Sequence, residues 1–522
     1  MEAEAALPLP DDALAAILAR LPPGTLAAAR CVCKAWRAVV DGRGLLLPHL
    51  LPHAVRGIFV NYIGYWRPLF FARPSSALPR ISGNLGYKSV IDHCNGLLLC
   101  SGADRGGEYV VVNPATRRWE RFLAPRVDTY NRDYLPYLVF DPAVSPHYEV
   151  FLIPLVPEKP KAIDPRDIPT KTYNVSGLFS SFDDTLGAEY MEEEEELCIE
   201  EWMQPPPPPS MEEGFFPTKK LSLSLRWKIG EPHDTYGSME WPPSPCTLHV
   251  FSSRTRCWEE KTFVREGNAM GTIKDARREL LRPMFFGPRW HYGVYFQGAL
   301  YVHCRGGFVM RLSLAIGKYQ AIKTPVDIEE KYKQTYLGRS AGGLYFAIIR
   351  GFRLRVWILN ESPCQIEWTL KYDTDLDHSG LWTAVSMSNH HRTVGPWFVS
   401  YANNSEDSYN SMLQEGHLEW DSDDDGILHY EDVDKEYNEL IYFLGFHPYK
   451  EVVFLMVSFT GIAYHLNTSK IQWLGTLYPK NYDAYTKGVH EAFPYTPCMV
   501  GDPVNNHETS TEDGITNNPI LS

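Results

Sequence analysis

The first forty residues arrange hydrophobic and polar positions with the period of a helix. Apolar side chains recur at the i, i+3, i+4, i+7 spacing that places them on one helical face: Leu14, Ile17, Leu18 and Leu21. Asp11 or Asp12 can cap this helix, because a carboxylate accepts hydrogen bonds from the first free amides. Residues 22–24, Pro-Pro-Gly, end the helical signal. The pattern therefore predicts a first short helix ahead of this break.

A second helical segment follows directly, and Thr25 can cap it. Its apolar positions lead, with or without a break, into a tryptophan and two valines: Leu26, Ala29, Val32, Trp36, Val39 and Val40. Asp41, Gly42 and Gly44 then stop the helical pattern. A unit of roughly 35 residues is below the size at which one core usually sustains a fold. We therefore expect another surface to cover part of its apolar face.

After residue 45 the pattern changes to short aromatic and β-branched runs separated by Gly, Pro, Asn and Ser. Several runs share one layout, in which an apolar strand leads into a polar turn and an aromatic residue follows. The layout runs from Asn113 to Trp119, from Ser252 to Trp258 and from Asn467 to Trp473, with a weaker copy from Ser313 to Tyr319 and a longer one from Asn360 to Trp368. Asn, Ser and Pro initiate turns, and the aromatic residue anchors the returning strand. The layout predicts a repeated hairpin.

A second repeated layout is an apolar run opened by glycine. It occurs in "HCNGLLLC", "YFQGALYVHC", "SAGGLYFAII" and "SFTGIAYHL". Glycine ahead of a strand marks a turn or a close approach of two backbones. Together the two layouts recur at spacings that fit propeller blades of roughly 40 to 60 residues. We therefore predict a mainly antiparallel β-propeller of about six to eight blades, and a two-sheet sandwich is the alternative that shares this texture.

Composition and charge narrow the range of partners. The chain has 522 residues and a net charge of −14, with 64 acidic against 50 basic residues. This balance repels phosphate backbones, and no stripe of Lys and Arg interleaves with the aromatic residues. Nucleic acid is therefore not the expected ligand. Protein partners fit the composition better.

The amino-terminal segment, the lengths of the apolar runs and the cysteine spacing indicate the cellular compartment. The segment "MEAEAALPLPDD" lacks the basic and then apolar order of a secretory signal, and no apolar run reaches the length of a membrane span. The 10 cysteines follow no regular spacing, which fits free thiols in a reducing environment. We expect a cytoplasmic or nuclear protein that forms no disulfide, needs no cofactor and binds no membrane.

The helical unit resembles the F-box motif in residue order and spacing. The resemblance rests on Leu7-Pro8, Asp11-Asp12, Ile17-Leu18, Arg20-Leu21-Pro22, Arg30, Val32-Cys33-Lys34 and Trp36-Arg37. It implies docking onto a Skp-type adaptor, which joins the motif to a cullin scaffold and a ubiquitin-conjugating enzyme. By this resemblance, ten positions face the adaptor or support those that do: Leu7, Pro8, Ile17, Leu18, Leu21, Pro22, Val32, Cys33, Lys34 and Trp36.

Later stretches resemble the propeller-like domain that follows the F-box in plant F-box proteins. "CNGLLLC" with "VVNPATRRWERFLAP" is similar to the first blade of that domain. "FDPAVSPHYEVFLI" and "FHPYKEVVFLM" are similar to its strand pairs. The resemblance is best over residues 90–155, and it implies a domain that binds a protein target.

These patterns predict an α+β multidomain chain. The predicted parts are a three-helix F-box module at residues 1–45, a linker with the first strands at 46–85, a propeller-like substrate-binding domain at 86–498 and a disordered tail at 499–522. Inside the large domain, residues 186–216 combine an acidic run with five consecutive prolines. They predict a solvated insertion, or alternatively a polyproline ligand for an aromatic groove. Residues 403–436 predict a second, acidic loop.

Two short motifs have residue types that occur in chemical sites. Cys31 and Cys33 are too few and too close for a tetrahedral zinc site, so packing inside the helical unit or contact with the adaptor is expected. Residues 338–342, "GRSAG", fit the outline of a hydrolase nucleophile elbow. That elbow needs a helix after the serine, whereas the next residues have the pattern of a strand. We expect a turn that opens a blade.

A third motif has the residue order of a calcium loop. Asp421, Asp423 and Asp425 occupy its first ligand positions, but Asp432 stands where a longer glutamate normally binds the ion with both oxygens. The following residues have the pattern of a strand, although calcium loops lie between helices. An acidic loop between blades is favoured, and calcium binding is the alternative.

The resemblance predicts the substrate-recognition subunit of a Skp-cullin-F-box ubiquitin ligase, with no catalytic residues of its own. In this hypothesis the F-box binds the adaptor and the propeller binds a protein target. Two alternatives stay open. The chain can be an adaptor-bound regulatory protein that directs no degradation, or a carbohydrate or ligand binder with a vestigial F-box.

Overall fold

The structure is a computed structural model. It describes residues 10–21, 23–46, 51–65, 67–73, 87–102, 107–125, 134–156, 236–278, 292–326, 334–362, 365–376, 381, 396–400, 420, 441–479, 482 and 488–499. The predicted insertion at 186–216, the calcium-loop positions at 421–432 and the tail from 500 onward lie outside these residues. Those predictions therefore stay predictions.

Three short helices form the amino-terminal helical module, defined here as the described residues between 10 and 46. They are α1 (Asp11–Leu18), α2 (Pro23–Ala29) and α3 (Lys34–Gly42). Pro10, not an aspartate, is the residue that precedes α1, so both predicted capping aspartates lie in the first turn. They are favourable there because a helix amino terminus carries partial positive charge. Residues 30–33 interrupt the predicted second helix and separate α2 from α3.

Strands make up almost all of the remaining described chain. The first twelve are β1 (Gly57–Tyr62), β2 (Leu69–Ala72), β3 (Tyr87–Cys94), β4 (Leu97–Gly102), β5 (Glu108–Asn113), β6 (Arg118–Leu123), β7 (Tyr134–Val139), β8 (Glu149–Pro154), β9 (Glu240–Trp241), β10 (Cys246–Ser252), β11 (Cys257–Glu266) and β12 (Gly271–Thr272). A helix, α4 (Ile273–Arg278), follows. The others are β13 (Gly293–Phe296), β14 (Ala299–Cys304), β15 (Phe308–Ser313), β16 (Lys318–Lys323), β17 (Gln334–Ser340), β18 (Gly343–Arg350), β19 (Arg353–Glu361), β20 (Ile366–Asp375), β21 (Phe398–Ser400), β22 (Ile441–Phe446), β23 (Val452–Val457), β24 (Thr460–His465), β25 (Ile471–Thr476) and β26 (Val489–Tyr495).

The strands pair mainly into four-stranded antiparallel sheets. Consecutive strands form sheet A (β3 to β6), sheet C (β13 to β16), sheet D (β17 to β20) and sheet E (β22 to β25), and sheet B contains β7, β8, β10 and β11. The outer strands of sheets B and C also pair in parallel, at residues 264–266 and 318–320. Short helices followed by mainly antiparallel sheets confirm the predicted α+β class.

Sheet F joins the two ends of the β-rich region. Its strand order is β21-β2-β1-β26, so strands from residues 57–72 and from residues 489–495 lie side by side. Val60 pairs with Ala492, and Phe59 pairs with Phe493. The strands in the segment predicted as a linker at 46–85 thus share a sheet with the last described strand of the chain.

Each sheet packs between two others. Apolar clusters fill the six interfaces, and following them from sheet A through sheet F leads back to sheet A. Representative pairs are Leu99 with Phe251 (A and B), Phe263 with Phe308 (B and C), Tyr301 with Phe346 (C and D), Tyr345 with Phe446 (D and E), Phe454 with Phe71 (E and F), and Phe493 with Val110 (F and A). The β-rich region is therefore propeller-like, with its core divided among the sheet interfaces.

The repeated hairpin predicted from the aromatic spacing is confirmed. In sheet A, the Asn113 side chain accepts hydrogen bonds from the backbone amides of Ala115 and Thr116, at 3.1 and 3.4 Å, and so builds the turn into β6. Trp119 then packs into the apolar clusters beside sheet A. Corresponding hairpins join β10 to β11, β15 to β16, β19 to β20 and β24 to β25.

The glycine-opened strands are confirmed as tight turns in three sheets. Asn95 and Gly96 both have positive φ, 46° and 89°, which is the conformation of a two-residue hairpin. The fourth copy differs, because Ser458 and Phe459 form the turn and Gly461 lies just inside β24. A β-carbon on Gly461 would overlap the side chains of Leu477 and Phe71. Glycine at this position therefore allows those side chains to pack against the β24 backbone.

Gly475 is the glycine whose replacement should be most damaging. Its φ is +143°, and a β-carbon would collide with the backbone carbonyl oxygen of Trp397. We expect Gly475→Ala to lower the free energy of unfolding by about 3 kcal/mol, because strain and steric overlap add. Gly342→Ala is the matched control, since Gly342 has a positive φ of +78° but no atom within 4 Å of the added carbon. Urea unfolding of both variants measures the difference, and equal losses would contradict the steric argument.

Among the helices that the structure describes, none is both long and apolar enough to cross a membrane.

Candidate functional site

The helical module has a small apolar core of its own. Leu18, Leu26, Ala29, Val39 and Val40 are buried in it. These residues come from all three helices, and Trp36 and Leu21 pack against them while staying partly exposed. The helical periodicity therefore predicted all five residues of this core, but it also included Ile17 and Val32, which the structure leaves exposed.

The structure divides the predicted adaptor-contacting residues into two groups. Ile17 is 52 % exposed and Val32 is 65 % exposed, so both apolar side chains are accessible to a partner. Cys33 and Lys34 are exposed beside Val32. Leu18 is 1 % exposed and supports the module from inside. Leu7, Pro8 and Pro22 lie outside the described residues.

Cys33 has a local structural role. Its sulfur accepts a hydrogen bond from the Trp36 amide at 3.4 Å, so the thiol caps the start of α3. This position turns the chain between α2 and α3 and leaves Val32 exposed in the turn. The Cys-x-Cys spacing is thus explained in part by the capping of a helix.

An exposed ion pair closes the same turn. Arg30 donates from Nε and Nη2 to the two carboxylate oxygens of Asp41, at 2.6 and 3.0 Å. The hydrogen bond from Arg30 lowers the pKa of Asp41 below its usual value. Because both side chains are exposed, the pair contributes little free energy to the stability of the module.

Comparison with protein families supports this site. Residues 7–47 match the F-box domain. The helical module is an F-box. F-box domains generally bind Skp-type adaptors, and F-box proteins are generally non-catalytic adaptor subunits that recruit substrates. The exposed Ile17 and Val32 therefore belong to a domain whose general role is docking.

Similarity to known proteins beyond the F-box is partial. An F-box/LRR-repeat/kelch-repeat protein of Arabidopsis thaliana is 34 % identical over 130 residues, which are 24 % of this chain and 35 % of that protein. The chain thus spans about a third of the length of this relative. A structure from a study of two prolyl endopeptidases aligns with 89 % of this chain and 54 % of the other chain, at 9 % identity and a TM-score of only 0.23.

A cavity, called the central cavity below, lies where the inner strands of five sheets meet. The innermost strands β3, β13, β17, β22 and β26 each contribute to its wall. It holds about 920 Å³ of empty space, part of it open to solvent. Much of the wall is aromatic, including Tyr336, Phe443, Phe446 and Phe493. Three nitrogen-bearing side chains, His93, Asn95 and Arg339, interrupt this apolar surface, as does the Asp92 carboxylate.

His93 lies in this wall as a neutral imidazole. Burial, and next the nearby Arg339 guanidinium, lower the pKa of His93 to about 4. The ring meets Phe493 edge-on with 5.5 Å between centroids, and Nδ1 has no hydrogen-bond partner among the described residues. Sequence reasoning missed both His93 and Arg339, because they meet only when sheets A and D are brought to one centre.

The lowered pKa of His93 predicts a specific pH dependence of stability. The unfolded chain protonates His93 below about pH 6.5, whereas the folded chain does so only near pH 4. The unfolded state therefore binds more protons between these values, and stability falls as pH is lowered through this window. The free energy of unfolding of the wild type should therefore fall as the pH is lowered from 7.5 to 4.5. We expect this fall to be about 2 kcal/mol smaller in His93→Gln.

Guanidinium unfolding of the wild type and of His93→Gln at several pH values tests this expectation. Asp92 and Cys94 adjoin His93 on β3, and burial raises the pKa of Cys94 to about 12, so that thiol stays neutral throughout. His53→Gln is the control, because the His53 side chain is exposed. Parallel pH profiles for the wild type and His93→Gln would show that His93 does not titrate as described.

Ser340 in the "GRSAG" stretch is not part of a hydrolase elbow. It ends β17, is fully buried, and donates from Oγ to the Lys450 carbonyl oxygen at 2.5 Å. The turn at 341–342 leads directly into β18, whereas the elbow needs a helix at this point. The predicted strand-opening turn is confirmed. Among the described residues, no group of three His, Cys, Asp or Glu side chains is placed to hold a metal ion.

Proposed function

We propose that this chain is the substrate-recognition subunit of a Skp-cullin-F-box ubiquitin ligase. The F-box binds a Skp-type adaptor and, through it, a cullin. The β-rich domain binds a protein target. The observation that carries the proposal is the F-box at residues 7–47, whose folded module leaves Ile17 and Val32 exposed.

We propose further that the six sheets are the blades of a six-bladed propeller. Three features support this count: the six four-stranded units, the six apolar interfaces between neighbours, and the shared last sheet that joins β1 to β26. Arranging short sheets around a ring leaves only short, protected strand edges. Such a ring provides a rigid platform for loops and a central cavity.

The mechanism of the proposed subunit is proximity. Tethering raises the effective concentration of the lysines of a bound target near the conjugating enzyme. The chain supplies no reacting group and needs no cofactor. The cytoplasm and the nucleus are the proposed locations, since free cysteines suit a reducing compartment.

The proposal is tested by the fate of the proteins that bind the propeller. These proteins should accumulate when the F-box carries Ile17→Asp and Val32→Asp, because the variant still binds them but no longer brings them to the ligase. Their half-lives, measured after synthesis is blocked, should lengthen severalfold. Unchanged half-lives despite unchanged binding would favour a regulatory complex that directs no degradation.

A further inference from the structure

The central cavity combines an aromatic wall with one cationic group. Arg339 is the only Lys or Arg among the described residues that line it. Its Nη2 donates to the Tyr449 hydroxyl at 3.4 Å, and its guanidinium carbon lies 5.5 Å from the centre of the Tyr449 ring. His53 stacks on that ring, with 4.1 Å between centroids. The stack holds the guanidinium beside the cavity through a neutral partner.

Among the described residues, Arg339 forms no ion pair with a carboxylate within 4 Å. Asp92 also lines the cavity, but it is only 5 % exposed and its Oδ2 accepts the Leu138 amide at 2.8 Å, within the interface between sheets A and B. His93 adds a polar nitrogen without a partner and no positive charge. A buried or half-buried cation is favoured when an anion reaches it. Since Asp92 is buried and bonded to the Leu138 amide, the Arg339 guanidinium is the charged group of the described wall that an entering anion can contact.

We propose that the central cavity binds a carboxylate carried on an apolar body, with Arg339 contacting the carboxylate and the aromatic wall contacting the apolar part. A guanidinium forms two parallel hydrogen bonds with a planar carboxylate, which fits this lone cation. Tyr336, Phe443 and Phe493 then cover the apolar body. Two sources share this chemistry: the carboxyl-terminal residue of a protein chain and a small free acid.

A phosphate group fits the cavity less well. It carries close to two negative charges near neutral pH, and its recognition usually draws on several cations or backbone amides. Only Arg339 is available among the described lining residues, and aromatic side chains surround it. A carbohydrate would leave the guanidinium without an anion. The monoanionic carboxylate is the ligand that uses both features of the wall.

This inference rests on the proposed function only where it describes how a target is recognised. Binding of a carboxylate in the central cavity can be tested independently of the ligase assignment. The test therefore uses the purified full chain without adaptor. The probes are 3-phenylpropanoate, its neutral primary amide, a short peptide ending in Phe with a free carboxylate, and the same peptide with an amidated end. Ligand-observed NMR and calorimetry measure each affinity.

We expect either acid, or both, to bind at least tenfold more tightly than the matched amide. Binding of the peptide acid identifies chain termini as a source, and binding of the small acid alone identifies a free acid. Arg339→Gln should lower the affinity for the acid tenfold or more, and Arg339→Lys, which keeps the charge but loses the fork, should lower it less. Arg350→Gln is the control, because Arg350 is exposed on the neighbouring strand β18.

The inference is overturned if acid and amide bind equally, if neither binds at millimolar concentration, or if Arg339→Gln binds the acid as the wild type does. It is also overturned if inorganic phosphate displaces the acid at comparable concentration. The comparison of acid with amide needs no substitution, so a failure of Arg339→Gln to fold does not prevent the test. Adaptor binding by the same protein separates this result from a failure of the F-box assignment.

Discussion

Replacing Ile17 and Val32 together with aspartate is expected to weaken binding of a Skp-type adaptor at least a hundredfold. Both side chains are more than half exposed in the chain alone, which makes them available to a partner. Burying a Val or Ile in an interface contributes about 1.5–3 kcal/mol. An aspartate in the same place adds the penalty of an unpaired buried charge. Two such changes exceed the ~2.7 kcal/mol that corresponds to a hundredfold change.

Calorimetric titration of the purified adaptor into the full chain measures this loss. Ile316→Asp and Val144→Asp form the matched control, because Ile316 is 63 % exposed and Val144 is 80 % exposed in turns of the β-rich domain. The control should bind the adaptor as the wild type does. Leu18 is unsuitable for this experiment, since it is buried and its replacement would disrupt the module itself. Equal affinities for the test and control variants would contradict the assignment of Ile17 and Val32 to the adaptor-binding surface.

Phe493→Ala is expected to lower the free energy of unfolding of the β-rich domain by about 3–5 kcal/mol. Phe493 is 6 % exposed and packs in the cluster between sheets F and A. It lies on β26, whose partner β1 is more than 400 residues away in sequence. Because this strand pair joins the two ends of the β-rich region, the loss should extend beyond one local contact.

Denaturant unfolding followed by tryptophan fluorescence measures the loss, and His490→Ala on the same strand is the control. His490 is exposed, so its truncation leaves no cavity. A cooperative transition at a much lower midpoint for Phe493→Ala, with the control near the wild type, supports a ring closed by sheet F. A small change in both variants would show that the closing strand contributes little to stability.

The local parts of this fold could be predicted from the sequence. The turn at Asn113 and the return at Trp119 are encoded within seven residues, since the Asn side chain binds the amides that follow it. The same is true of Asn95 and Gly96, where positive φ selects glycine. Repeated local signals therefore indicated a repeated hairpin, and the repeat indicated a propeller-like domain.

The long-range parts could not be predicted in this way. Nothing near residue 60 indicates that Val60 pairs with Ala492, because the closing sheet is specified by the ring as a whole. Likewise, Arg339 lies one residue before the serine that drew attention in the sequence, and only ring closure brings it to the same cavity as His93. Sites built from several repeats carry no contiguous motif.

The F-box shows the same limit on a smaller scale. Ile17 and Leu18 are neighbours on one apolar face, and periodicity treats them alike. The packing of α1 with α3 buries Leu18 and leaves Ile17 exposed, which separates the support of the module from its candidate contact surface. The predicted adaptor-contacting positions stay a prediction, and the structure distinguishes buried from exposed members among those it describes.

The most direct test of the account is a quantitative pull-down from cell extract. The bait is the full chain, compared with the Ile17→Asp, Val32→Asp double variant, and co-purifying proteins are identified by mass. The account predicts that a Skp-type adaptor and a cullin are recovered with the wild type and lost with the variant, while a further set of proteins is retained by both and contains the targets. Recovery of adaptor and cullin with neither bait, or equally with both, would contradict the assignment of this chain as a ligase receptor that docks through the exposed F-box surface.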